Sequence, residues 1–297
     1  MARQSKIKKA RITKKEMKKA EKVCDISKAW LDTNVKNTWC PGCPNFLILD
    51  AFKRAICELA TSGQKKKEEL VVVTDIGCNA KIYDYVSLSG INALHGRILP
   101  LAFGIKAGNP NLKPVCFGGD GGTYNEGLSH FLNACRYNMD MTLIVHNNQV
   151  FSLTAGQAST VTEQGFVEKT HPFGVKEKPF NPIALALEAG VSFVARVSAL
   201  DIMEMKRVMQ EAIMHKGFAF IEILQPCIVF HNNSDFLRTS TYKINEMDFE
   251  NALKEARKWN YSQEGKAGLG IFFRKQDRTF EQKNLEWKLR NKIKIIS

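Results

Sequence analysis

The chain has 297 residues, 44% of them hydrophobic, and a formal net charge of +13. This length and hydrophobic content predict one domain of about 200–250 residues with extensions, because such a chain can bury a substantial core. No apolar run approaches the roughly 20 residues that cross a bilayer, and the basic amino terminus has no apolar signal-peptide core. We therefore expect a soluble, cytoplasmic protein with no membrane partner.

The positive charge is concentrated at the two ends of the chain. Residues 1–22 and 274–297 carry the excess of Lys and Arg, and the body between them is balanced in charge. A basic leader can bind nucleic acid, a membrane surface or an acidic protein, or it can be a solvated extension. Because this charge is segregated from the body, the sequence does not predict a nucleic-acid-binding domain.

Apolar periodicity predicts an alternation of strands and helices along the body. Strands are predicted over residues 70–74, 115–117, 142–145, 191–195 and 218–224. Helices are predicted over residues 45–59, 97–107, 125–137, 183–189 and 199–215, with Ser198 as the cap of the last one. Such alternation is typical of an α/β fold, in which a parallel sheet is covered by helices on both faces.

One connection in this pattern is unusually long. Residues 149–182 contain no predicted helix or strand, and loops of this length in compact domains are usually functional or disordered. We expect its first part to lie over a bound ligand and its second part to form a lid or a partner contact. A plain surface excursion is the alternative.

Polar residues follow two of the predicted strands. Asp120, flanked by glycines, comes after the first of them, and Asn148 closes the next strand along the chain. If these strands are parallel neighbours, both side chains emerge at the sheet edge where open α/β folds place ligands. A carboxylate and an amide oxygen suit Mg²⁺ held against phosphates, and the adjacent glycines let backbone approach a diphosphate. A tight strand-to-helix turn is the alternative for the glycine-rich stretch alone.

The eight cysteines divide into two groups. Four fall mostly in apolar patterns and are predicted to be small buried hydrophobes: Cys24, Cys57, Cys116 and Cys135. The other four lie in loops at the ends of predicted elements: Cys40, Cys43, Cys78 and Cys227. Their spacing leaves an iron–sulfur cluster, a structural zinc, a redox dithiol and no metal open, whereas disulfides are not expected in a cytosolic chain.

Several motifs in a fixed order resemble a known family. They are WCPGC, DIGCNAK, LHGRILPLAFGIKAGNP, GGDGG followed by HNNQVFSLTAGQAS, and QPC. GGDGG and the downstream HNNQVF together resemble the thiamine-diphosphate motif. Over residues 37–230, the whole series of motifs resembles the beta subunit of 2-oxoacid:ferredoxin oxidoreductases. The resemblance implies a thiamine-diphosphate-binding fold that carries thiamine diphosphate, Mg²⁺ and one 4Fe-4S cluster. It places this cofactor domain at residues 37–240, between a basic N-terminal extension, 1–36, and a C-terminal extension, 241–297.

The resemblance also implies roles for individual residues. Mg²⁺ would be bound by Asp120, Asn148 and the carbonyl of Val150. The cluster ligands would be Cys40, Cys43, Cys78 and Cys227. His95 would be the catalytic histidine, donating to the diphosphate, with helix capping or packing as the alternative. Cofactor contacts would come from Ile76, Gly77, Cys78, Asn79, Ala93, Leu94, His95, Gly96, Gly121, Gly122, Ser152 and Leu153.

The sequence departs from the family pattern at five positions, none of which alters an implied metal or cluster ligand. They are Pro44, Asp75, Asn79, Gly122 and Phe151. These differences leave the substrate and the fine placement of the diphosphate open.

The activity implied by the resemblance is oxidative decarboxylation of a 2-oxoacid, of the pyruvate or 2-oxoglutarate type, to acyl-CoA. Electrons would pass through the cluster to ferredoxin, and coenzyme A would take the acyl group. The acid that activates thiamine diphosphate belongs to a pyrimidine-binding domain, which we expect a partner alpha subunit to supply. A non-redox thiamine-diphosphate-dependent decarboxylase subunit is the main alternative, and a zinc-stabilised nucleic-acid-binding protein is a second.

Overall fold

The computed structural model describes residues 29–290, so the basic leader, Cys24 and residues 291–297 lie outside the described part. Ten strands are present in this part: β1 (Leu70–Thr74), β2 (Ser89–Asn92), β3 (Lys113–Gly119), β4 (Thr142–Asn147), β5 (Val150–Phe151), β6 (Gln157–Ala158), β7 (Phe193–Ser198), β8 (Ala219–Leu224), β9 (Thr241–Lys243) and β10 (Ala267–Arg274). The α-helices there are α1 (Asn45–Thr61), α2 (Ile98–Gly108), α3 (Leu128–Tyr137), α4 (Pro182–Glu188), α5 (Ile202–Met214), α6 (Ser234–Thr239), α7 (Phe249–Ala256) and α8 (Phe280–Arg290).

Eight strands form one sheet in the order β2-β1-β3-β4-β8-β7-β10-β9, and β5 with β6 forms a separate antiparallel pair. All neighbours from β2 to β7 run parallel. Strand β10 is antiparallel to β7 and parallel to β9. The predicted α/β class with a mostly parallel sheet is therefore confirmed.

The sheet separates two hydrophobic layers. In β4, Leu143 and Val145 belong to one layer and Ile144 to the other, because successive side chains of a strand point to opposite faces. Helices α1 and α5 pack on one face, and α2, α3, α4 and α7 cover the other. Burial on both faces explains why the central strands read as continuous apolar runs rather than alternating ones.

Two predicted helix starts differ from the structure. Helix α5 begins at Ile202 rather than 199, and its cap is Asp201, whose carboxylate accepts the Glu204 N–H at 3.0 Å. Ser198 is instead the last residue of β7. The helix predicted over 125–137 begins as α3 at Leu128, because the preceding Gly121–Glu126 forms a π-helical turn.

The start of β7 was also predicted too early. The strand begins at Phe193, not at Val191, because the Val191 N–H closes the end of α4 by donating to the Ala186 carbonyl at 3.0 Å. Val191 is apolar because it is buried in the hydrophobic layer, not because it is in the strand.

Several elements were not predicted, and four of them lie in the segment 241–297: β9, α7, β10 and α8. Strands β2, β9 and β10 were missed, and β10 pairs with β7 inside the main sheet. The division of the chain at 36 and 240 stays a prediction. None of the helices described here is long and apolar enough to span a membrane.

A buried ion pair joins the two parallel strands β7 and β8. Arg196 and Glu222 face each other in register, are 1% and 0% exposed, and meet at 2.8 Å between Nε and Oε2. The hydroxyl of Tyr261 donates to the same carboxylate at 2.8 Å, and the Asn147 amide donates to it at 2.8 Å. The pair thus connects the sheet both to the segment after α7 and to the end of β4.

We predict that Glu222→Gln lowers the free energy of unfolding by about 3–5 kcal/mol, because it leaves the Arg196 charge buried without its counter-charge. Urea denaturation measures this loss. Glu188→Gln is the matched control, since Glu188 pairs with Arg257 at the surface, where both side chains are more than half exposed, and should change stability by about 1 kcal/mol or less. Equal effects of the two substitutions would contradict the prediction.

Candidate functional site

The carboxyl ends of four neighbouring strands meet at a cavity. Each strand leads directly into residues of its wall: β1 into Ile76, β3 into Asp120, β4 into Asn148 and β8 into Gln225. Parallel neighbours end at the same edge of a sheet, which is why segments far apart in sequence line one cavity.

Most of the residues predicted to bind the diphosphate or its metal line this cavity. They are Ile76, Gly77, Cys78, Asn79, His95, Asp120, Gly121, Gly122, Asn148, Val150, Ser152 and Leu153. Three others predicted to touch the cofactor, Ala93, Leu94 and Gly96, flank His95 and are not in the wall. Leu94 is 78% exposed, so its side chain points to solvent. The roles of all these residues stay predictions.

Asp120 is a buried carboxylate, 1% exposed, at the end of β3. One of its oxygens accepts the Asn148 N–H at 3.4 Å, and the other accepts the Ser159 hydroxyl. Burial raises the pKa of Asp120 to about 7, against the opposing hydrogen bonds. A carboxylate that is expensive to ionise without a counter-charge is suited to hold a divalent cation.

The backbone that presents Asn148 is held from several directions. Asn147 accepts the Gln149 N–H at 3.1 Å, and its amide donates to the buried Glu222. The Gln149 amide donates to the carbonyls of Val161 and Tyr261 at 2.9 and 2.8 Å. This bracing fixes the position of Asn148 and Val150 relative to Asp120.

Glycine is required at Gly121 because an aromatic ring lies against it. A Cβ added there would meet the Phe151 ring at 2.3 Å. On its other side the Phe151 ring stacks on the His95 ring, with a centroid distance of 6.0 Å and an interplanar angle of 23°. Backbone, Phe151 and His95 therefore form one continuous part of the cavity wall.

Sequence reasoning missed three polar residues of the wall: Asn45, His146 and Gln225. The His146 ring bonds Asn45 at 2.8 Å through Nδ1, while Nε2, the Asn45 amide nitrogen and the Gln225 oxygen are buried without partners among the described residues. Burial lowers the pKa of His146 to about 3, so this ring is neutral. The position of Gln225 directly after β8 was the available signal, because strand ends at this edge carry the site.

The loops that carry the four selected cysteines lie together beside the cavity. The Trp39 indole donates to the Cys78 carbonyl at 2.7 Å, and a Cβ on Gly42 would lie 3.9 Å from Ile228, next to Cys227. Burial raises the pKa of the Cys43 thiol to about 11, with smaller contributions in the same direction from the thiols of Cys78, Cys40 and Cys227. In contrast, Cys57, Cys116 and Cys135 are buried in the core as predicted.

No three His, Cys, Asp or Glu side chains within residues 29–290 are grouped as a site for a metal ion. Neither the predicted magnesium ligands nor the predicted cluster ligands would form three such side chains around one ion. The magnesium set combines one carboxylate with an amide and a backbone carbonyl, and cysteines around a 4Fe-4S cluster bind its separate iron atoms rather than one ion.

This sheet, with a cavity at its carboxyl edge, has the architecture of an α/β ligand-binding domain. Residues 75–223 match the family model described as "Thiamine pyrophosphate enzyme, C-terminal TPP binding domain". The matched segment begins at Asp75, directly after β1, contains the carboxyl ends of β3 and β4, and ends within β8. The predicted fold class is thereby confirmed.

Similar curated proteins show to which family of thiamine-diphosphate-binding proteins the chain belongs. The 2-oxoacid:ferredoxin oxidoreductase subunit beta of Saccharolobus solfataricus is 44% identical over 214 residues, which cover 71% of this chain and 69% of that protein. The 2-oxoglutarate synthase subunit KorB of Archaeoglobus fulgidus is 35% identical over 219 residues, covering 70% and 80%. The chain belongs to the family of 2-oxoacid:ferredoxin oxidoreductase beta subunits.

A solved structure agrees with this assignment. The 2-oxoglutarate:ferredoxin oxidoreductase from Magnetococcus marinus, with 2-oxoglutarate, coenzyme A and succinyl-CoA bound, matches with a TM-score of 0.84 and 29% sequence identity. The match covers 90% of this chain and 91% of that chain. The family resemblance of the sequence motifs is therefore confirmed at the level of the fold.

We predict that Gly121→Ala weakens thiamine diphosphate binding at least about tenfold, because the new methyl group forces the Phe151 ring out of its stack with His95. Isothermal titration calorimetry in the presence of Mg²⁺ measures the affinity. Gly104→Ala is the control, since a Cβ there meets nothing within 4 Å and should preserve binding while stabilising α2 slightly. Unchanged affinity of Gly121→Ala would show that the ring contact is unimportant for the site.

Proposed function

We propose that this chain is the cofactor-carrying subunit of an enzyme that oxidatively decarboxylates a 2-oxoacid to an acyl-CoA and passes the electrons to ferredoxin. Bound thiamine diphosphate supplies the electron sink for decarboxylation, and an adjacent iron–sulfur cluster supplies a one-electron acceptor. The observation that supports this proposal most is the placement of the cavity beside the loops of Cys40, Cys43, Cys78 and Cys227 at one edge of the sheet.

The residues of the cavity fit thiamine diphosphate and Mg²⁺. Asp120, Asn148 and the Val150 carbonyl would hold the cation, since Asp120 is a buried carboxylate in contact with the Asn148 backbone. Gly121 and Gly122 would bring backbone amides to the diphosphate, and Ser152 and Leu153 line the same wall. His95 would donate a hydrogen bond to the diphosphate from the opposite side.

The four loop cysteines fit an iron–sulfur cluster better than a redox dithiol. Cys40 and Cys43 alone would make a dithiol, but the loops of Cys78 and Cys227 lie against them. Cys78 is also a residue of the cavity wall. One loop would therefore contact both redox centres, which keeps the path for electron transfer short.

The names of the relatives support a substrate of the 2-oxoacid class. One is named for 2-oxoacids in general and another for 2-oxoglutarate, and the solved relative is described with 2-oxoglutarate, coenzyme A and succinyl-CoA bound. We propose a 2-oxoacid of the pyruvate or 2-oxoglutarate type, with coenzyme A as acyl acceptor. A cytoplasmic location stays a prediction.

The activity would require a second chain. Relatives of this chain are named as beta subunits, and we propose that an alpha subunit completes the enzyme by supplying the acid that activates the thiamine ring. In this division of labour the present chain would bind the diphosphate and the cluster. The partner completes the cavity and the substrate pocket.

Variants that lose one cofactor and keep the other test this proposal. We expect the protein, purified anaerobically, to carry about four iron atoms per chain and to be brown. Cys227→Ser should reduce iron and visible absorption because a hard oxygen ligand poorly replaces a soft thiolate, while thiamine diphosphate still binds. Asp120→Ala should abolish thiamine diphosphate binding by calorimetry while iron is retained.

Cys57→Ala provides the matched control, because this thiol is buried in α1 outside the proposed set; it should keep both cofactors. Colourless protein that binds thiamine diphosphate would favour a non-redox decarboxylase subunit instead. Zinc in place of iron, or thiamine diphosphate binding that survives Asp120→Ala, would refute the corresponding metal assignment.

A further inference from the structure

Asp75 is a buried carboxylate at the cavity to which the proposed function gives no role. It follows β1 directly and is 0% exposed. Its N–H donates to the Phe117 carbonyl at 3.0 Å, which extends the pairing of β1 with β3 one residue beyond the strand. The carboxylate is thus fixed at the sheet edge, immediately before the Ile76 and Gly77 segment of the cavity wall.

The two oxygens of Asp75 have different surroundings. Oδ1 accepts the Gly96 N–H at 2.8 Å, which joins the end of β1 to the segment that carries His95. Oδ2 is buried and has no hydrogen-bond partner among the described residues. Burial raises the pKa of Asp75, and the backbone amides of Gly96 and Ile76 and the electrostatic interaction with His95 oppose that shift. A buried acceptor without a donor is costly.

This oxygen lies in the space beside Gly122. A Cβ added to Gly122 would lie 1.6 Å from Asp75 Oδ2, far inside any non-bonded contact. The carboxylate therefore occupies the place where a side chain at residue 122 would begin. Gly122 is obligatory as long as Asp75 is present.

The segment around His95 is packed equally closely on its other side. Gly96 has a φ of +69°, and a Cβ there would meet the Glu126 Cβ at 2.4 Å. The neighbouring Arg97 guanidinium donates to the Glu126 carbonyl at 2.9 Å. Asp75 consequently lies at the junction of three segments: the end of β1, the His95 segment and the Gly121–Glu126 turn.

We propose that Asp75 is a positioning residue of the diphosphate site. Its carboxylate accepts the Gly96 N–H, which sets the placement of His95 against Phe151. The same carboxylate occupies the space of a side chain at residue 122, so a single acid serves positions 75 and 122. The part concerning His95 rests on the proposed binding of thiamine diphosphate; the part concerning residue 122 is independent of it.

Reciprocal substitution tests this proposal in the full-length protein, studied in the complex in which it is isolated. The variants are Asp75→Ala, Gly122→Asp, Gly122→Ala, and the combinations Asp75→Ala/Gly122→Asp and Asp75→Ala/Gly122→Ala. Two quantities are measured: thiamine diphosphate affinity in the presence of Mg²⁺, and the thermal unfolding temperature without cofactor.

We expect Asp75→Ala to weaken thiamine diphosphate binding about tenfold, the typical loss for a hydrogen bond to a charged group. Both single Gly122 variants should unfold at lower temperature than the wild type because of the overlap with Asp75. Asp75→Ala/Gly122→Asp should return the affinity to within about threefold of wild type, since the acid is supplied from the other side. Asp75→Ala/Gly122→Ala should unfold at a higher temperature than Gly122→Ala, because the overlap with Asp75 is removed, but should not recover the affinity, because it fills the space without an acceptor for Gly96.

Equal affinities of the two combinations would show that Asp75 only fills space, and unchanged affinity of Asp75→Ala would likewise overturn the positioning role. If neither combination unfolds at a higher temperature than its single Gly122 parent, the shared space is refuted. Failure of the wild type to bind thiamine diphosphate would instead refute the proposed function, and the unfolding temperatures would still decide the relation between residues 75 and 122.

Discussion

The parallel pairing of β1, β3, β4 and β8 is the constraint from which the site follows. Because these strands are parallel neighbours, their last residues arrive at one edge, and segments from four parts of the chain form a single cavity. No local property of any one loop would bring Asp120 beside Asn148. Their contact is a consequence of the register in which Gly119 of β3 lies opposite His146 of β4.

Several polar groups at the cavity are buried, and burying a polar group costs free energy unless it has a hydrogen-bond partner. The protein meets this requirement partly by long-range bonds: Gln149 reaches the Tyr261 carbonyl, and Asn147 reaches Glu222. Tyr261 lies beyond the domain boundary predicted at 240, so the segment after that boundary contributes to the rigidity of the loop that carries Asn148. Buried atoms of Asn45, His146 and Gln225 have no partner among the described residues, and these three residues line the cavity.

The alternation of elements and the chemistry of the strand ends could be predicted from the sequence because both are local. Helix α1 and strand β1 were placed well by apolar spacing, and Asp120 and Asn148 were found because each follows an apolar strand. The cap of α5 and the start of β7 were missed, since Ser198 and Val191 carry the residue types expected for either assignment. Strand β10 was missed because its place in the sheet depends on pairing with β7, far away in sequence.

The relation between Asp75 and Gly122 shows the limit of sequence reasoning most clearly. Each position separately departs from the family pattern, and nothing local connects them. In the folded protein the carboxylate of one fills the space beside the other. Such compensation is visible only when the sheet has set the distance between the two segments.

We propose that one sheet edge holds both a diphosphate–cation centre and an iron–sulfur cluster. A crystal structure of anaerobically prepared protein with thiamine diphosphate, with anomalous data collected at the iron edge, would locate both centres. We expect a strong iron peak enclosed by Cys40, Cys43, Cys78 and Cys227, and a diphosphate-bound cation at Asp120 and Asn148. Absence of iron between those four cysteines, or a diphosphate bound away from Asp120, would contradict it.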